Sequence, residues 1–288
     1  MIIDFHTHVW PEKIAEKTLK KLSETAHILP FTKGTAQDLM QREQAAGIDL
    51  SIILPVATSP AQVPGVNDSA IRINEQYYDR ESGKGLLSFA CIHPDYADYK
   101  TELPRIREKG FKGIKIHPVY QNTDLDDIRY LHIFELAAAL NLIVITHTGW
   151  DIGFPGACRC SPAMAAHALR EIGNFKLVLA HMAGWGEWDN AMETLSGTNV
   201  YLDTAFSTGH IHPLQDGYWD GKDTAMLDTK AFLAMLDAFG EDRILFGTDS
   251  PWSPQEESLG FIRDLPVSER TKEKILGGNA SMLLSIPS

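Results

Sequence analysis

The chain has 288 residues, 44% of them hydrophobic and 22% charged, a composition that excludes a disordered or fibrous polymer. Its formal net charge of -12 makes phosphate backbones and anionic membrane surfaces poor partners, because both are bound through clustered Lys and Arg. No apolar run approaches the ~20 residues of a membrane span and the first residues lack a signal-peptide pattern, so a cytoplasmic location is expected.

In chain order, the first apolar run is "IIDFHTH", where Asp4, His6 and His8 share one face of a strand. A helical pattern follows at 35–47, "TAQDLMQREQAAG", closed by Gly47. Next come "LSIILPV" and "LLSFACI", a helical run ended by Gly110, and "KGIKIHP". The segment 128–141, "IRYLHIFELAAALN", is amphipathic at helical spacing and ends on Asn141. It is succeeded by "LIVITHT", "KLVLAHM", "VYLDTAF" and "RILFGTDS". Each run has the length of a parallel strand buried on both faces. Strand and helix alternating in this way predict an α/β fold, a (β/α)8 TIM barrel built as one domain over residues 1–288. A doubly wound sheet is the alternative, but no G-x-G-x-x-G follows the first strand.

Polar residues gather at one end of these runs. His6 and His8 close the first, His117 the fourth, His147 the fifth, His181 the sixth and Asp249 the eighth. In a barrel those ends converge on one rim, where active sites lie. Imidazole and carboxylate are ligands of a borderline divalent metal, and three histidines with one aspartate would leave room for water. His27, His132 and His167 lie outside the strand ends and are expected to be ordinary hydrogen-bonded residues. The three cysteines, Cys91, Cys158 and Cys160, offer no pairing framework and are expected to be reduced thiols.

As an ordered set, "IDFHTHVW", "GIKIHP", "VITHTGW", "LAHMAGW", "FGTDSPW" and "KILGGNASMLL" resemble the amidohydrolase superfamily, in its amidohydrolase-related branch of metal-dependent TIM-barrel hydrolases and decarboxylases. The resemblance implies one divalent metal, zinc with manganese as the alternative, on His6, His8, His147 and Asp249. It implies His181 as a catalytic partner that orients water or substrate, and Asp249 as the group that exchanges a proton. His117 either lines the pocket or bonds a nearby carbonyl. Lys115 shares its face; it either bridges two metals, as in two-metal relatives, or pairs with Asp4, and the one-metal reading is preferred.

The first expectation for the reaction is hydrolysis of an amide, lactone or similar acyl bond by a metal-activated water. The alternative is non-oxidative decarboxylation of an aromatic or unsaturated acid, for which Arg159 is the candidate carboxylate clamp. A further alternative is a non-catalytic barrel that binds metal and a small molecule. Trp10, Trp150, Trp185, Trp252 and Phe206 lie near the strand ends as candidate pocket walls, and the loop at 207–228 is a candidate lid. His210 and His212 repeat the H-x-H spacing but are not expected to ligate metal. A small-molecule substrate and a homodimer are the expected partners, with no nucleic acid or membrane.

Overall fold

A computed structural model describes residues 1–220 and 224–286. The strands in chain order are β1 (Ile3–Thr7), β2 (Leu50–Ile53), β3 (Tyr78–Asp79), β4 (Lys84–Ser88), β5 (Ala90–Cys91), β6 (Gly113–Ile116), β7 (Ile143–Thr146), β8 (Leu177–Leu179), β9 (Tyr201–Asp203) and β10 (Ile244–Leu245). Helices separate most of them, as the alternation of apolar runs predicts. The chain forms two compact units, Met1–Ile53, Tyr77–Leu87 and Asp203–Ser288 in one, Leu54–Gln76 and Ser88–Leu202 in the other.

In the first unit the hydrogen-bonded order is β1-β2-β4-β3, with β1 and β2 parallel and Ile3 opposite Leu50. All five residues of β1 are buried, so its alternate polar side chains must find partners inside the protein. β3 forms a small antiparallel pair with β4, too short to show any alternation in sequence. The helix Ala36–Ala46 begins where the Thr35 side chain accepts the Asp38 N–H and ends at Gly47 with φ of +76°, as its punctuation predicts.

In the second unit β5, β6, β7 and β8 are parallel neighbours, with Lys115 opposite Ile145 and Ile145 opposite Val178. The helix Ile128–Ala139 buries Tyr130, Leu131, Ile133, Phe134 and Ala137, the stripe expected from its spacing. Asn141, with φ of +54°, turns the chain into β7. Gly110 stands beyond the helical cap, a place taken by Lys109.

Candidate active site

In the first unit, three backbone hydrogen bonds lace the end of β1 to the segment after β10. Phe5 N donates to Phe246 O at 2.8 Å, Asp249 N to His6 O at 2.9 Å, and His8 N to Ser250 O at 2.7 Å. This lacing brings together side chains 241 positions apart in sequence: His8 Nε2 is 3.1 Å from Asp249 Oδ1. His6 Nε2 lies 3.2 Å from His8 Nε2 and 3.3 Å from Asp249 Oδ1. The two imidazole planes cross at 73°, so lone pairs in those planes can meet at one point.

Tetrahedral ligands about 2.0–2.1 Å from an ion stand about 3.3–3.4 Å apart, and octahedral neighbours about 2.8–3.0 Å. The triangle of 3.1–3.3 Å falls between these spacings, within small adjustments of what a single divalent ion needs. Asp249 holds φ of +63°, a backbone cost of order 1–3 kcal/mol for a non-glycine residue, which is the kind of strain that functional sites retain. Behind His6, Nδ1 is 2.8 Å from Asp203 Oδ2. Asp203, wholly buried, was not singled out in the sequence; its one signal was a carboxylate closing the run "VYLD" at the same register as the other polar strand ends.

The second unit gathers His117, His147, Asp151 and His181. His147 Nδ1 is 2.9 Å from His181 Nε2. His147 Nε2 is buried without a hydrogen-bond partner, 3.9 Å from Asp151 Oδ2. His117 Nε2 is 3.4 Å from the same oxygen, and His117 Nδ1 accepts the Tyr120 N–H at 3.4 Å. The His117 and His147 rings are stacked 4.4 Å apart at 13°, so the two planes that contain their lone pairs are nearly parallel and do not meet nearby. A shared ion between these two rings is therefore disfavoured, although each can engage a ligand separately. Burial first, then the charges of His117, His181 and Lys115, push the His147 imidazole well below its ordinary pKa, toward the neutral form that ligates. His181 also stands in the left-handed region, at φ of +60°. Asp151 was missed by the sequence reading because it lies in a loop, where no periodicity marks it.

Arg159 Nη1 donates to Asp124 Oδ1 at 2.9 Å, so one nitrogen of its guanidinium is engaged by a carboxylate of the protein. Lys115 is 1% exposed in β6; the Asp4 carboxylate takes hydrogen bonds from Thr248 N, Thr248 Oγ1 and His6 N. Trp10 stacks on His8 with centroids 6.4 Å apart, and Trp252 N donates to Asp249 O at 2.8 Å. Phe206 is buried at φ of +50°. Trp150 Nε1 donates to Glu187 at 2.8 Å, and Trp185 N donates to Thr148 O at 3.3 Å.

The 207–228 loop is fastened on one side to Glu257, through His210 at 2.6 Å and His212 at 3.2 Å. On the other it meets His27, whose Nδ1 is 2.6 Å from Asp216 and whose ring stacks on Tyr218 at 3.7 Å. Residues 221–223 of the lid expected from sequence lie outside the described residues. His167 pairs with Asp126 at 2.9 Å. All three cysteines are free, and burial raises the Cys158 and Cys160 thiols. No helix among the described residues is long and apolar enough to cross a membrane.

The family model described as Amidohydrolase matches residues 3–286. The chain is similar to a 2-amino-3-carboxymuconate-6-semialdehyde decarboxylase of Dictyostelium discoideum, 26% identical over 243 residues, which are 77% of this chain and 66% of that protein. The chain thus spans about two thirds of that relative's length. Among solved structures, a dihydroxybenzoic acid decarboxylase from Polaromonas sp. JS666, with bound manganese and 2-nitroresorcinol, is 16% identical with a TM-score of 0.66, over 99% of this chain and 96% of that one. A probable 2-pyrone-4,6-dicarboxylic acid hydrolase from Acinetobacter baumannii is 14% identical with the same TM-score of 0.66, over 99% of both chains. The fold is the (β/α)8 barrel expected from the alternation of runs.

Proposed function

Because the chain belongs to the amidohydrolase family, we propose that it is a metal-dependent decarboxylase of an aromatic or unsaturated carboxylic acid, with His6, His8 and Asp249 holding one divalent ion. The observation that carries the metal assignment is the crossing of two imidazoles and one carboxylate at mutual distances of 3.1–3.3 Å. Manganese and zinc both suit this donor set.

Decarboxylation is put ahead of hydrolysis, the first expectation from sequence, because a relative similar at the sequence level is named a decarboxylase. The probable hydrolase is alike at 14% identity, which speaks for the fold alone. Held by His6, His8 and Asp249, a divalent ion would supply positive charge for the substrate's oxygens. Asp249 holds the proton delivered to the carbon that loses CO2, so one C–C bond breaks, one C–H bond forms, and the carboxylate leaves as neutral gas. The partnerless Nε2 of His147, and the resemblance of "VITHTGW" to the family pattern, support His147 as a further ligand. His181, bonded to the other nitrogen of that ring, is proposed to steady its orientation and the charge that develops on the substrate. His117 and Asp151 supply buried polar contacts for substrate. Trp10 and Trp252 are proposed as pocket walls beside the ligands they adjoin. Trp150, Trp185 and Phe206 are proposed pocket residues on sequence position alone.

The test is a panel of aromatic and unsaturated acids, with lactones and amides alongside, given to metal-loaded protein in deuterated water. The proposal expects CO2 release and one deuterium on the carbon that lost it. Cleavage of a lactone or amide without CO2 would return the hydrolytic reading.

A further inference from the structure

We infer that Asp203 is a positioning residue of the metal centre: its carboxylate fixes His6 as the Nδ1–H tautomer and so aims the Nε2 lone pair at the point between His8 and Asp249. The inference rests on the reading that those three side chains hold the ion. A neutral imidazole carries one proton, on either nitrogen, and only the nitrogen without it can bind metal. An ionised carboxylate accepts and cannot donate, so with Asp203 ionised the 2.8 Å contact from its Oδ2 to His6 Nδ1 requires the proton on Nδ1. The opposite tautomer would put two acceptors face to face inside the protein, where His6 is 1% and Asp203 0% exposed.

The carboxylate is itself held. Asp203 Oδ1 accepts the Ala205 N–H at 3.2 Å, so the group is fixed at both oxygens. The next residue ties the same strand end down: Thr204 Oγ1 donates to Gly247 O and accepts from Gly247 N, both at 3.0 Å. Gly247 closes the other side of His6. A Cβ at 247 would stand 3.0 Å from His6 Cβ and 3.3 Å from Ala205 Cβ, so a glycine there lets the strand ends approach this closely. His6 thus enters metal binding with tautomer and direction already set, which reduces what the ion must reorganise, and the charge behind it makes Nε2 a stronger donor.

The experiment measures metal affinity by competition with a chelating dye, using Zn2+ and Mn2+ as probes, on wild type, Asp203→Ala, Asp203→Asn and His8→Ala. Thermal melts of the metal-free proteins run in parallel, with nitrogen-15 NMR of the wild-type histidines assigned through His6→Gln. Loss of Asp203 is expected to weaken binding about 10–100-fold. Asp203→Asn should lose less, because the amide oxygen can still accept from Nδ1. His6 should show the Nδ1–H signature in the metal-free protein. If Asp203→Ala binds as wild type does while His8→Ala does not, the role of Asp203 is overturned and the metal site stands. If wild type binds neither ion, the metal reading itself fails. A His6 ring found as the Nε2–H tautomer contradicts the inference whatever the affinities, including the case in which Asp203→Ala does not fold.

Discussion

Asp249 is asked to do three things: sustain φ of +63°, present one oxygen 3.1 Å from His8 Nε2, and carry the proton of the proposed reaction. Asn is among the residues that tolerate the left-handed region, so Asp249→Asn changes the charge and leaves the backbone alone. Turnover should fall about 10²–10⁴-fold, while the melting temperature of the metal-free protein stays within about 2 °C of wild type. Steady-state kinetics and a dichroism melt check the two halves. His147 makes a complementary case. Its neutral state is imposed mainly by burial, and its Nε2 has no hydrogen-bond partner, so replacing it removes an atom available to a ligand rather than a salt bridge.

At the scale of elements, what places the site is the end of a strand and the first residues beyond it. Gly149 shows how tight such an end is: at φ of +86°, a Cβ would stand 2.5 Å from Trp185 N and 2.6 Å from Trp185 O. Gly149→Ala should destabilise the protein by more than about 2 kcal/mol in urea unfolding, through strain and a backbone clash that no side-chain rotation relieves. The segment before residue 220 is held by imidazole–carboxylate pairs. Burial alone would raise Glu257, but the hydrogen bonds from His210 and His212 win and hold it below the usual carboxylate range. That support is present above about pH 4.3 and lost as pH falls through the lower folded value. Glu257→Gln should therefore speed amide exchange at Leu29 and Leu214, whose N–H groups bond to His212 O and His27 O. Unchanged exchange would show that the two carboxylate contacts do not secure the loop. The strands and their polar ends were legible in sequence because buried parallel strands are continuous apolar runs, against which His6, His147 or Asp249 stands out. Asp203 and Asp151 were not legible, since their roles depend on partners that only the folded chain supplies. Arg159 likewise has a partner, Asp124, that its position in sequence does not reveal.

For the whole molecule, a buried acid pair sets a pH dependence of folding. Burial pushes Asp4 up to about 7, and burial with the nearby Asp4 charge raises Glu43, which faces inward from the helix Ala36–Ala46. Unfolded carboxylates titrate near 3.9–4.3, so between about pH 4 and pH 7 the native state binds more protons than the unfolded chain. Stability from this pair therefore falls as pH rises across that window. The neutral His147 acts in the opposite sense below about pH 6.5, so the net curve mixes both. The difference between Glu43→Gln and wild type separates them: the variant should gain stability relative to wild type as pH rises from 5 to 8 in urea titrations. A difference that does not vary with pH would contradict the raised carboxyl.

Whether His6, His8 and Asp249 bind one divalent ion is decided by the metal content of the protein. Elemental mass spectrometry of the purified protein, after reconstitution with Zn2+ or Mn2+ and removal of free ion, should find about one equivalent in wild type and little in the His6→Ala/His8→Ala variant. Wild type without metal, or a variant that retains the full equivalent, would contradict the account.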